Sequence, residues 1–292
     1  MKNIIVPTDF SDCSLNALVA ASFIARKTGA TIHLTHIYER PVYGFVDLFY
    51  DNVAEEKILE QIDRKILQLM KTEYLRGIKL KKLLLTDIEL EDLTRDKRVR
   101  NADLSVMGSH GVSGIKELMV GSNTEKIVRF SDIPVLVIKE KPDHFEMKAM
   151  VFASTFDSDS SESFTRIYRL ARVYNPLIHL LKVNTRNHFE RTPVSINAME
   201  NFAKEFSLRN YSVNTWNDTS IEDGILNFAN HTGADVISIE TRGLTGLSHL
   251  VLGSITENLV NHINRPVLSI KFVKVSAGSS KRKNEPDIQL PF

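Results

Sequence analysis

The chain opens on "NIIVPT", a short apolar run broken by Pro7, and such a run predicts a buried strand. Ser11 or Asp12 then caps a predicted helix that continues to about Thr28, with Gly29 as its stop. "TIHLTHI" predicts a second strand, "IKLKKLLLT" a third, "DLSVMG" a fourth and "PVLVIK" a fifth. Residues 52–75 set Ile58, Ile62, Ile66 and Leu69 at spacings of three and four, the pattern of an amphipathic helix. "LEDLTRDKRVRN" has only a weak apolar stripe and predicts a short, poorly packed helix. A further helix from about Ser122 to Phe130 precedes the fifth strand. Strands alternating with helices imply a mostly parallel sheet covered on both faces.

The same pattern occurs twice. Adding 132 to the residue number carries "GSHGVSGIKELMVGSNTEK" (108–126) onto "ETRGLTGLSHLVLGSITEN" (240–258). That register runs without a gap from Ala102-Asp103 to Lys139, and Gly111, Gly114, Gly121, Ser122, Thr124 and Pro134 all recur. The front of the chain repeats at an offset of 146, with Phe10 meeting Phe156 and Ser14 meeting Ser160. The difference between the two offsets places an insertion of 14 residues in the first copy, between about 40 and 101. The repeat predicts two tandem doubly wound domains, residues 1–140 and 148–274, each a five-stranded, Rossmann-like α/β unit. The tail, 275–292, has the composition of a disordered segment. The closing runs "PVLVIK" and "PVLSIK" would be hazardous as unpaired apolar edges, so the copies are expected to pair with each other through them. A further dimer stays open.

Charge and cysteine content narrow the class. The 292 residues hold 37 basic and 36 acidic side chains, a balance with no global attraction to nucleic acid or to an anionic membrane. Cys13 is the single cysteine, which rules out an internal disulfide framework. The N-terminus lacks the apolar stretch of a signal peptide, and no run of about 18 apolar residues occurs, so a cytoplasmic location is expected.

The glycines of the loop after the fourth strand carry the candidate chemistry. In open α/β sheets ligands lie beyond the carboxyl ends of the strands. Gly108 ends the fourth strand, and a missing Cβ there would let backbone approach a ligand. Gly121-Ser122 opens the last helix, whose free N–H groups suit a phosphate, with Ser122 and Thr124 as hydroxyl donors. No Gly-Lys-Ser/Thr follows, so this is not a Walker loop, and it follows the wrong strand for a dinucleotide fingerprint. Gly121 as a plain loop-to-helix corner remains an alternative.

Gly108, Gly111 and Gly121-Ser122, with "VPTDFS" at the start and "PVLVIK" at the close, resemble the nucleotide-binding branch of the universal stress protein family in its motif G-x-x-G, nine residues, G-[S/T]. The resemblance spans both copies and implies an adenine nucleotide alpha hydrolase-like fold that binds ATP or another adenine nucleotide, with or without Mg²⁺. It implies that Pro7, Thr8 and Asp9 line the adenosine, and that the backbone of Ile37 reads the adenine edge. Met107, Gly108 and Gly111 would border ribose and phosphates, and Gly121, Ser122, Asn123 and Thr124 would hold the phosphate chain. The second copy departs from this pattern. Ala153 stands for Pro7, Thr155 for Asp9, and Glu240 for Gly108, which would set a carboxylate in the path of the phosphates.

Other residues have simpler readings. His36 and His110 lack metal-ligand spacing and read as strand and loop residues. Cys13 reads as a small packed residue, and Ser122 has no His/Asp partner for nucleophilic work. The aromatic stretch "YGFVDLFYDN" reads as a lid or a seam, or else as a contact for a protein partner. Three functional classes follow: a nucleotide-dependent stress-response sensor or adaptor, a scaffold with vestigial ligand binding, and a slow ATPase. The last lacks the lysine or arginine expected for efficient phosphoryl transfer, so the chain does not read as an enzyme.

Overall fold

The computed structural model describes residues 1–40, 52–86, 88–99, 101–109, 122–157, 160–242 and 265–272. The aromatic stretch 43–52 falls almost wholly outside them, as do Gly111, Gly121 and the tail 275–292.

The first half of the chain contributes β1 (Asn3–Pro7), α1 (Asp12–Thr28), β2 (Thr31–Tyr38), α2 (Asn52–Met70), β3 (Leu80–Thr86), β4 (Leu104–Gly108), α3 (Ser122–Phe130) and β5 (Val135–Ile138). The second half contributes β6 (Ala149–Ala153), α4 (Ser160–Tyr174), β7 (Leu177–Asn184), α5 (Thr192–Glu205), β8 (Tyr211–Asn217), α6 (Ile221–Thr232), β9 (Val236–Arg242) and β10 (Val267–Phe272). All ten strands form one sheet in the order β3-β2-β1-β4-β5-β10-β9-β6-β7-β8.

Within each half the pairs are parallel, and the junction β5–β10 is antiparallel, with Leu136 opposite Leu268. The two closing strands thus cover each other, as their apolar sequences require. Both cores cross this junction. One face holds Ile4, Leu104, Leu136, Leu268 and Phe152, the other Ile5, Val135, Val137, Val267 and Ile237.

Local signals set the helix that supports the site. Ser11 caps α1, its side chain accepting from the Ser14 N–H, and Gly29 closes it at φ 70° with its N–H donating to the Ala25 carbonyl. The buried face of α1 is mostly small, with Ala17, Ala20, Ala21 and Ala25 beside Leu18 and Ile24, so the helix lies close to the sheet. Residues 90–95 form a 3₁₀ turn in place of the expected short helix. It is well packed, because Leu93 is buried and Val99, just beyond, is buried with it. The corresponding segment of the second half is the three-turn helix α6.

Candidate functional site

A cleft opens where β1, β2 and β4 end. Pro7, Thr8, Asp9, Ile37, Met107, Gly108, Asn123 and Thr124 line it, together with Ser14, Thr35, His36, Glu39 and Leu90. It encloses about 620 Å³, the solvent at its mouth included. Eight of the residues expected from the sequence therefore meet in one place. Ser122 is the first residue of α3, next to Asn123, and is not among the lining residues described.

The strand ladder aims Ile37. The Thr31 N–H donates to the Lys2 carbonyl and the Thr8 N–H to the Thr35 carbonyl, so the odd residues of β2 present their backbone groups to β1. β1 ends at Pro7 opposite Thr35. The N–H and C=O of Ile37, two residues on, consequently point past the end of β1 into the cleft. One donor beside one acceptor matches the edge of an adenine.

A hydroxyl pair ties strand to helix at the floor. Thr8 Oγ1 and Ser14 Oγ are 3.0 Å apart, Ser14 donates to the Ser11 carbonyl at 2.9 Å, and the Phe10 N–H donates to Thr8 Oγ1 at 3.1 Å. Phe10 adopts φ 66°, a costly conformation for a bulky residue that this turn imposes. His36 Nδ1 lies 2.7 Å from the Thr8 carbonyl; a carbonyl only accepts, so Nδ1 carries the proton. The His36 ring lies 4.8 Å from that of Phe10. Asp9 Oδ1 accepts from the Ser11 N–H at 3.0 Å and from its hydroxyl at 2.5 Å, which makes Asp9 part of the helix cap.

Two roles expected from the sequence change. A Cβ on Gly108 would lie 2.5 Å from the backbone C and O of Cys13 and 2.8 Å from its Cβ. Gly108 is therefore required by the close approach of α1 to β4, whatever a ligand does. Thr124 donates its hydroxyl to the Gly108 carbonyl at 2.7 Å in a buried bond. Its proton is committed to holding α3 against β4 and is not a donor for phosphate. Ser14, Thr35, His36, Glu39 and Leu90 join the lining without a motif in the sequence to mark them. The strand period points to two of them, since Thr35 and Ile37 lie on one side of β2 and Glu39, just past its end, continues the alternation.

The second half keeps the framework and changes its contents. Ser154 and Ser160 repeat the hydroxyl pair at 2.9 Å, and the Phe156 N–H repeats the bond to Ser154 at 3.1 Å, with φ 56°. Glu240 pairs with Ile270 on β10 as Gly108 pairs with Ile138 on β5. Its carboxylate is held within the second half's own framework. It turns to the serine pair, with Oε2 at 2.9 Å from Ser154 Oγ and 3.0 Å from Ser160 Oγ. Burial pushes its pKa up to about 7, against the lowering by Ser154, Ser160 and Ser163, and the Asp157 charge pushes the same way as burial. At the place of Ile37 stands Val183, and α6 sits directly on it: a Cβ on Gly224 would lie 2.4 Å from Val183 Cγ1.

Among the described residues, no three His, Cys, Asp or Glu side chains converge as a metal site, and no helix is long and apolar enough to cross a membrane.

Comparison with known proteins bears on this geometry. The model of the universal stress protein family matches residues 1–139 and 200–271, more than two thirds of the chain. Two universal stress proteins of Methanocaldococcus jannaschii are similar, one 27% identical over 155 residues and the other 29% identical over 142. Each alignment covers 48% of this chain, and 96% and 82% of the relatives. Among solved structures, a universal stress protein from Archaeoglobus fulgidus superposes with a TM-score of 0.67 over 92% of this chain and 98% of its own, at 19% identity. At that identity the likeness speaks for the fold.

Proposed function

The chain belongs to the universal stress protein family, and from that premise we propose that the cleft of its first half binds ATP or another adenine nucleotide, while the second half does not. The observation that carries the reading is the pairing of a free strand edge with a helix start. Ile37 offers an N–H and a C=O at one end of the cleft, and α3 begins with Ser122, Asn123 and Thr124 at the other. Such an arrangement suits a base at one end and phosphates at the other. Asp9 and Glu39 between them favour ribose hydroxyls, because carboxylates accept from hydroxyls and repel phosphates. A Mg²⁺ ion would come on the phosphate oxygens of the nucleotide, supplying charge neutralisation there.

No lysine or arginine lines the cleft among the described residues. Binding with a change of conformation or partner therefore fits better than rapid hydrolysis, and the chain acts as a nucleotide-dependent sensor or adaptor. The domains are best divided as 1–140 and 148–274, joined by the segment between β5 and β6. Mass spectrometry of material released when the purified protein is denatured tests the reading, followed by calorimetry with ATP and adenosine. One site per chain, with adenosine retaining part of the affinity, is expected. No adenine compound released and no heat with ATP or adenosine would overturn it.

A further inference from the structure

The hydroxyl pair occurs in both halves, and counting its protons separates them. In the first half, two oxygen–oxygen contacts need a hydroxyl proton: Thr8 to Ser14, and Ser14 to the Ser11 carbonyl. Thr8 and Ser14 have one proton each, so both contacts are hydrogen bonds. In the second half four contacts need one: Ser154–Ser160 at 2.9 Å, Ser154–Glu240 at 2.9 Å, Ser160–Glu240 at 3.0 Å and Ser160–Asp157 at 3.2 Å. Ser154 and Ser160 again have only two protons. With an ionised Glu240, at least two of these contacts set lone pairs against each other. A proton on the Glu240 carboxyl supplies a third donor.

We infer that the second half carries a proton-binding switch at the corner where the first half carries its cleft, with Glu240 as the proton acceptor and the Ser154–Ser160 pair as its lock. This goes beyond nucleotide binding, which belongs to the other half.

Among the described residues, the one charge that acts on Glu240 is that of Asp157, which disfavours its anion, and the basic side chains of the neighbouring elements are engaged elsewhere. Asp157, from the turn between β6 and α4, is exposed and adds repulsion. On α4, Arg166 donates to the Asp132 carbonyl and pairs with Glu162. Lys182 on β7 donates to the Thr155 carbonyl and lies 3.8 Å from Glu190. Lys271 on β10 faces Asp132 at 3.6 Å. Ser163, one turn along α4, favours the charged form but completes no hydrogen bond to Oε1, which is buried.

In the first half Cys13 lies directly against Gly108; in the second Glu240 has a side chain to place there. The neutral carboxyl is thus packed under the start of α4. Ionisation above neutrality sets lone pairs in conflict and frees the turn 154–157 and the first turn of α4.

Carbon-13 NMR of the glutamate carboxyls in the full chain, from pH 5 to 9, tests this, with Glu240→Gln identifying the signal. A midpoint near 7 is expected for Glu240. Ser154→Ala removes a hydrogen bond to the charged form, so it should raise that midpoint, and it identifies the signal if the Gln variant does not fold. Amide hydrogen exchange over residues 154–163, corrected for its intrinsic pH dependence, should quicken at least tenfold as Glu240 ionises and stay level in Glu240→Gln. A midpoint below 5 would overturn the inference, and so would a titration near 7 with no change in exchange.

Discussion

Replacing Gly108 by alanine adds a single methyl group at the point where β4 meets α1. That methyl would lie 2.5 Å from the carbonyl carbon and oxygen of Cys13 and 2.8 Å from its Cβ. Carbon atoms in comfortable contact are roughly 3.5–4.0 Å apart, so strand and helix must separate by about 1 Å. Neither yields easily. β4 lies between β1 and β5 in the middle of the sheet, and Cys13 is in the first turn of α1, held by the Ser11 cap. The obstacle is backbone, so no rotamer change relieves it. Overpacking of this kind costs about 1–3 kcal/mol, and a backbone clash belongs at the upper end. Gly108 does not have a positive φ, so alanine also gains about 0.4–1 kcal/mol by restricting the unfolded chain. The net expectation is a loss of about 2 kcal/mol, read as a lower urea midpoint at unchanged slope. Nucleotide affinity should fall with it, because the Thr124 hydroxyl anchors α3 on the Gly108 carbonyl. A loss under about 0.5 kcal/mol would refute the reasoning, since Gly108 would then have room to spare.

Three further outcomes are expected. Ile37→Pro deletes the N–H that faces the cleft and leaves the β2–β3 ladder its bonds; with the melting temperature as control, adenosine and ATP should both weaken about tenfold, the worth of one hydrogen bond with an unpaired partner. Thr124→Val keeps the shape but loses the bond to Gly108, so stability should drop by about 1–3 kcal/mol in urea titration, with Thr124→Ser retaining most of it. Glu240 is raised in the folded state from 4.5 to about 7, so the native state holds the proton more tightly and stability falls as pH rises through that window. At about 1.4 kcal/mol per pH unit the loss approaches about 3 kcal/mol by pH 8, and Glu240→Gln should abolish the slope; an unchanged slope in that variant would place the proton elsewhere.

The sequence carries the order of elements because each rests on a local or pairwise signal. Ser11 and Gly29 bound α1, and the closing apolar strands had to cover each other. It also assembles the cleft, since the ends of β1, β2 and β4 are adjacent in any doubly wound sheet. Distances between elements are what it does not carry. Gly108 reads as an opening for a ligand, yet the space is taken by Cys13, nearly a hundred residues away in sequence. Glu240 reads as a barrier to phosphate, yet its carboxylate is engaged by Ser154 and Ser160, some eighty residues away in sequence. The weak stripe over residues 90–95 hides a well-packed turn because a 3₁₀ segment buries Leu93 without helical periodicity.

That packing decides whether the second half can be turned back into a nucleotide site. Glu240→Gly would remove the carboxylate and leave Ser154 and Ser160 in the arrangement of Thr8 and Ser14. Position 183, the counterpart of Ile37, is nevertheless covered: Val183 is buried, and Gly224 in the first turn of α6 rests against it with no space for a Cβ. In the first half the corresponding segment is a 3₁₀ turn, and Leu90 stands at the edge of an open cleft. Ala153 and Thr155 in place of Pro7 and Asp9 change the adenosine side as well. Glu240→Gly is therefore expected to flatten the pH dependence of stability without adding a binding site. Titration calorimetry with ATP should still give one site per chain. Two sites of similar affinity would show that the carboxylate, and not α6, closes the second half.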